Sequence, residues 1–253
     1  NGGIGLIEKG EPDVLYINKG GGRFGPVSWT GGAFADEEGK SLTVPPLDWA
    51  LTAVFRDLNG DGTPDLYVCN DFFFSRDKVW LNESGRRFRA IPKLALRNMS
   101  MSSMAVDFAD INRDGHDDFI VVDMLSRVHQ SRHRQRANLL RGKVDLPMGD
   151  PEYRPETPRN TLFLNRGDGT YAEIAQLAGV EASEWSWSVI FLDVDLDGFE
   201  DLLIVNGNAD DIPKAGTERS VLNTSVFMAG IGYGYGYEEI EQAKLAGVNL
   251  TAD

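Results

Sequence analysis

The run Leu51-Thr-Ala-Val-Phe-Arg-Asp57-Leu-Asn59-Gly-Asp61-Gly62-Thr63-Pro-Asp65-Leu-Tyr-Val-Cys69 sets an acidic turn between two apolar stretches. The design returns over Ala105–Val122, around Asp110-Ile-Asn112-Arg-Asp114-Gly115-His116-Asp-Asp118. It returns again over Val189–Val205, around Asp193-Val-Asp195-Leu-Asp197-Gly198-Phe199-Glu-Asp201. A second element alternates with it: an apolar strand ending in Asn, a Gly-rich turn, then an aromatic. It runs from Asn18 to Phe24, from Asn82 to Phe88 and from Asn165 to Tyr171, with equal separation in all three. The register between the two elements is also constant, since Phe88 to Asp110 and Tyr171 to Asp193 are both 22 residues. Regular spacing of this kind marks a repeat architecture.

Each loop plus hairpin holds four short strands bounded by Gly, Asn and Asp turns. Four-stranded units repeated around an axis make a β-propeller. The sequence therefore predicts an all-β chain, a propeller of about three to four blades with short helical insertions. Residues 1–253 read as a single propeller domain or a piece of one; 125–159 read as a basic insertion and 208–253 as a degenerate last repeat or tail around Gly232-Tyr-Gly-Tyr-Gly-Tyr237. The stretch from Ser28 to Asp48 lengthens another connection. The chain begins at Asn1 with no start Met, as a processed or partial chain does, and opens with half a unit. Two readings account for the low blade count: a fragment of a larger propeller, or a neighbouring molecule that supplies the missing strands.

Numbered from its first Asp, each acidic loop presents side-chain oxygens at positions 1, 3, 5 and 9. These are Asp57, Asn59, Asp61 and Asp65; Asp110, Asn112, Asp114 and Asp118; Asp193, Asp195, Asp197 and Asp201. Position 7, at Thr63, His116 and Phe199, offers a backbone carbonyl, and Gly62, Gly115 and Gly198 at position 6 permit the sharp turn. Hard oxygen donors with no nitrogen or sulfur suit Ca²⁺, about three ions in all. Three or four carboxylates in one nine-residue turn repel one another without a cation, so the metal is expected to stabilise the fold. The loops lack the distal Glu of an EF-hand and are flanked by strands.

These residues resemble the FG-GAP/VCBS repeat family, the propeller repeats of integrin α-subunits and their bacterial relatives. More narrowly, Val121-Val-Asp-Met124, Arg159-Asn-Thr-Leu-Phe-Leu-Asn165, Trp185-Ser-Trp-Ser188 and Val205-Asn-Gly207 resemble bacterial proteins similar to cartilage acidic protein, with an ASPIC/UnbV region. The resemblance implies an extracellular, cell-surface or periplasmic propeller with calcium in its blade loops. It implies a role in adhesion, in glycan or protein recognition, or in assembly of an extracellular structure. Some related propellers, such as rhamnogalacturonan lyases, are enzymes, so a polysaccharide-active enzyme is the second reading; a filament or surface-layer subunit completed by neighbouring chains is the third.

The formal net charge is −14, from 39 Asp and Glu against 25 Lys and Arg, which argues against nucleic acid as a partner. No apolar run reaches the roughly 18 residues of a membrane span. Cys69 is alone, so no intrachain disulfide forms, and its apolar strand marks it as core. No nucleophile-elbow, zinc-protease or phosphate-loop motif occurs, so no catalytic residue is assigned and a non-enzyme is expected. Within the acid-free stretch from Ser126 to Lys143, Arg127, Arg132, Arg134, Arg136, Arg141 and Lys143 either bind an anionic partner or lie on the chain's own acidic surface. The tryptophans read mainly as packing between blades. Asn82, Asn98, Asn223 and Asn249 match the glycosylation acceptor pattern.

Overall fold

The computed structural model describes residues 10–72, 75–129, 131–132 and 154–207. The regular elements among the described residues are nearly all strands, arranged in the expected blades. The first complete blade joins β3 (Phe34–Ala35), β4 (Trp49–Arg56), β5 (Asp65–Asp71), β6 (Lys78–Asn82) and β7 (Phe88–Ala90) in the order β3-β7-β6-β5-β4. Its four main strands form an antiparallel meander, with Leu66 opposite Trp80 and Trp80 opposite Ala90. The lengthened connection after Ser28 supplies β3, which pairs parallel to β7 as a fifth strand.

The second blade joins β9 (Ala105–Ala109), β10 (Asp118–Val122), β13 (Thr161–Asn165) and β14 (Tyr171–Glu173), in the order β14-β13-β10-β9. The short β8 (Met99–Ser100) and β12 (Glu156–Thr157) pair in parallel beside it. β11 (Met124–Leu125) pairs with β15 (Glu184–Leu192), and β15 with β16 (Asp201–Asn206). The opening half-unit forms an isolated hairpin, β1 (Tyr16–Gly20) with β2 (Arg23–Pro26). After β14 the chain makes one helical turn, α1 (Ala175–Ala178), closed by Gly179 in the left-handed conformation at φ 75°.

Packing follows the two-residue period of the strands. From β5, Tyr67 and Cys69 face the second blade and Leu66 and Val68 face the β1–β2 side. From β10, Phe119 and Val121 face the first blade, and Ile120 and Val122 face β15–β16. Both strands are therefore covered on both faces and read as continuous apolar runs. Phe119 sits at the centre: its ring stacks on Phe163 at 4.7 Å and meets Tyr171 and Tyr67 edge-on at 5.2 and 5.3 Å. Trp29, Trp80 and Trp185 are buried as expected of blade packing, whereas Trp187 is exposed. Cys69 is fully buried, and burial pushes its thiol well above the usual range.

At the ends of the strands away from the acidic loops, buried polar groups tie blades together. Asp77 accepts from Tyr67 Oη, Ser103 Oγ and the Asn70 N–H. Asn160 holds the equivalent place in the second blade, accepting from the Asp123 N–H and donating to Ser183 Oγ. Burial pushes the carboxyls of Asp77 and Asp123 up to about 7, against the hydrogen bonds that favour their charged forms.

Candidate metal centres

The three acidic turns fold alike because each wraps around its own first carboxylate. Asp57 accepts from the N–H groups of Gly60, Asp61 and Gly62. Asp110 accepts from Asp114 and Gly115, and Asp193 from Asp197 and Gly198, all between 2.8 and 3.1 Å. Position 3 accepts from the N–H at position 5 in every copy. Position 5 accepts from the N–H at position 7, that is from Thr63, His116 and Phe199. The glycine at position 6 has φ of 83°, 87° and 91° in the three loops. Position 4 is left-handed as well, at Gly60, Arg113 and Leu196, although two of these are not glycine. Sequence reading missed that requirement because the residue types there disagree.

In the third loop, oxygens of Asp193, Asp195 and Asp197 converge within 4.8 Å, the one such trio of carboxylates among the described residues. In the first two loops Asn replaces the middle carboxylate. Its amide donates to position 5, from Asn59 to Asp61 at 3.2 Å and from Asn112 to Asp114 at 2.9 Å. The hydroxyl and N–H of Thr63 hold the Asp61 carboxyl below its usual range, and the Asn112 amide does so for Asp114. The donors are all oxygens on an exposed turn already held in shape by backbone bonds. That set fits a calcium ion: position 1 with positions 3 and 5 in each copy, and the position 7 carbonyl beside them.

Position 9 has a different environment. Asp65 and Asp118 are fully buried. Each receives the N–H of loop position 2 on one oxygen, from Leu58 at 2.9 Å and Ile111 at 3.1 Å. Each receives the N–H of the hairpin asparagine on the other, from Asn82 at 2.6 Å and Asn165 at 2.7 Å. Burial raises both carboxyls above their usual range. These carboxylates bolt the loop to the hairpin, and each oxygen keeps a second lone pair that faces no backbone donor. The asparagines were visible in the sequence only as a recurring letter at fixed spacing. Asn82 is buried, its Nδ2 donating to Pro64 O and its Oδ1 accepting from the Gly85 N–H, so it caps a turn in place of the glycan acceptor expected there. Asn98 is half-buried; Asn223 and Asn249 lie outside the described residues.

Neighbouring loops are linked. Arg56 on β4 pairs with Asp117 beside the second loop. Arg113 in the second loop lies 5.3 Å from the Phe199 ring centroid and 3.3 Å from Glu200 in the third. Tyr171 Oη donates to Leu58 O of the first loop at 3.0 Å. Of the basic stretch, Arg127 pairs with Glu184 and Arg132 with Glu181 on the chain's own surface. Arg134, Arg136, Arg141 and Lys143 lie outside the described residues.

A family model described as an FG-GAP-like repeat matches residues 57–121 and 142–204, together half of the chain. A model described as a major capsid protein matches residues 203–253, nearly all outside the described residues. Integrin alpha-3 of Cricetulus griseus is 33% identical over 107 residues, covering 37% of this chain and 10% of the integrin. The chain thus spans about a tenth of the length of the curated relative it matches. Among the described residues no helix is long and apolar enough to cross a membrane.

Proposed function

The chain belongs to the FG-GAP-like repeat family, and on that premise we propose that it is a recognition module of the extracellular space or cell surface whose propeller blades are pinned by calcium. The observation that carries this reading is the threefold recurrence of one loop conformation, each with its oxygens held open by backbone bonds. Calcium would be held by Asp57, Asn59, Asp61 and Asp65; by Asp110, Asn112, Asp114 and Asp118; and by Asp193, Asp195, Asp197 and Asp201, with the carbonyls of Thr63, His116 and Phe199. When bound it supplies positive charge that relieves carboxylate repulsion. Its role is structural: the module acts by binding a protein or glycan, not by turnover. The likeness to integrin alpha-3 supports a protein ligand.

The test is solid-phase binding of the calcium-loaded full chain to immobilised extracellular-matrix proteins and acidic polysaccharides, repeated in EDTA. Saturable binding to at least one of them, lost on chelation, is expected. Folded, calcium-loaded protein that binds none of them, or binding that ignores EDTA, sinks the proposal.

A further inference from the structure

The two ends of the described fan are each half a blade, and each half has what the other lacks. β15–β16 is a first-and-second-strand pair whose outer strand, β16, has no partner among the described residues. β1–β2 is a third-and-fourth-strand hairpin with no inner pair among the described residues. In the complete blades the hairpin asparagine donates its N–H to the position 9 carboxylate. Asp201 Oδ2 receives Val194 N–H at 3.0 Å, as its counterparts do, but among the described residues no donor reaches Oδ1. Asn18 shows the same turn chemistry as Asn82 and Asn165: the Gly20 N–H bonds to its Oδ1, as Gly85 and Gly167 do to theirs.

The exposed side chains match in the same way. The residue two beyond position 9 faces the following blade, and the residue two before position 1 faces the preceding one. Between the complete blades these are Tyr67 and Phe108, whose rings lie 6.1 Å apart. Between the second blade and β15–β16 they are Ile120 and Phe191, packed in one cluster. The remaining members of the series are Leu203, 58% exposed, and Phe55, 51% exposed. One lies at each end of the fan. Ile190, Leu192 and Val205 are exposed on the same side as Leu203.

We propose that the β15–β16 pair of one copy is completed by the β1–β2 hairpin of a second copy, joined head to tail. The pairing of β10 with β13 sets the register, placing Leu202 opposite Tyr16 and Leu203 opposite Leu15 of the second copy. Asn18 N–H then reaches Asp201 Oδ1, and Leu203 packs on Phe55. The contact is strand addition to an open sheet edge. It is heterologous, so association continues beyond a dimer until a ring closes or a filament grows.

The test is sedimentation of the full chain in calcium, with Leu203→Asp and Phe55→Asp variants whose folding is checked by circular dichroism. Wild-type mass rises with concentration in whole multiples of the monomer. Each variant alone weakens association at least about tenfold. Mixing the two restores a one-to-one dimer, because each still carries one intact end. Where Leu203→Asp fails to fold, Val205→Lys takes its place. The proposal is overturned by a wild type that stays monomeric at its solubility limit, or by a mixture that forms no dimer. It is equally overturned if either variant self-associates like wild type, or if the amides of residues 202–205 resist hydrogen exchange in a monomer, since the chain's own residues 208–253 would then cover the edge.

Discussion

β10 and β16 start from the same aspartate and continue with the same kind of apolar run, yet one is buried along its whole length and the other is mostly exposed. The loops before them have the same hydrogen bonds. Loop conformation is thus local, written in nine residues. Burial is not local, because it needs a hairpin on one edge and a blade on each face. Asp118 and Asp201 show the division at a single side chain: both hold the loop, and among the described residues only Asp118 also holds a hairpin.

The contrast is broken most strongly in the core. Phe119→Ala removes a ring packed on four other aromatic side chains and should cost about 3–5 kcal/mol in denaturant unfolding. Phe199→Ala, on an exposed ring in the third loop, should cost under about 1 kcal/mol. Equal costs would mean that the outer half-blade is as well covered as the complete ones.

A buried carboxylate gives the next effect. The Asp77 carboxyl stands at about 7 in the folded protein and near 3.8 when unfolded, so the folded state holds an extra proton between those values. Its contribution is full below about pH 4 and is lost as pH rises to 7. Asp77→Asn installs the residue that the second blade uses at the same place, Asn160. Relative to wild type, the variant should gain up to about 4 kcal/mol between pH 4 and pH 8. A stability difference that does not change with pH would refute the burial argument.

Asp118→Ala leaves the N–H groups of Ile111 and Asn165 without their acceptor and should cost about 2–3 kcal/mol; Asp201→Ala should cost under about 1 kcal/mol in dilute monomer. The smallest effect is a gain. Leu196 at φ 62° occupies a conformation that suits glycine, so Leu196→Gly should stabilise the third loop by about 0.5–1 kcal/mol, and no gain would mean the loop is held elsewhere.

Repeat, blade class, loop positions and the hairpins were legible in the sequence because each rests on local spacing. The glycine at position 6 announced its turn, and the apolar runs of β5 and β10 announced strands; that both faces are covered came only with the structure. What stayed hidden depends on contacts distant in sequence. That Asp65 and Asp118, read as ligands like the other carboxylates, also hold hairpin asparagines 17 and 47 residues away could not be seen from the loops alone. Asn82 read as a glycan acceptor, since nothing in Asn-Glu-Ser reveals that the amide is buried. The third-blade edge read as one more copy, because β16 carries the residues of a buried strand without, among the described residues, the neighbours that bury it.

Calcium binding to the metal-free full chain, followed by equilibrium dialysis and thermal melting together, tests the acidic turns as calcium sites most directly. About three ions per chain, with a melting temperature raised by about 5 °C or more and returned by EDTA, is the expected result. A chain that takes up no calcium, and melts at one temperature with and without it, contradicts the account.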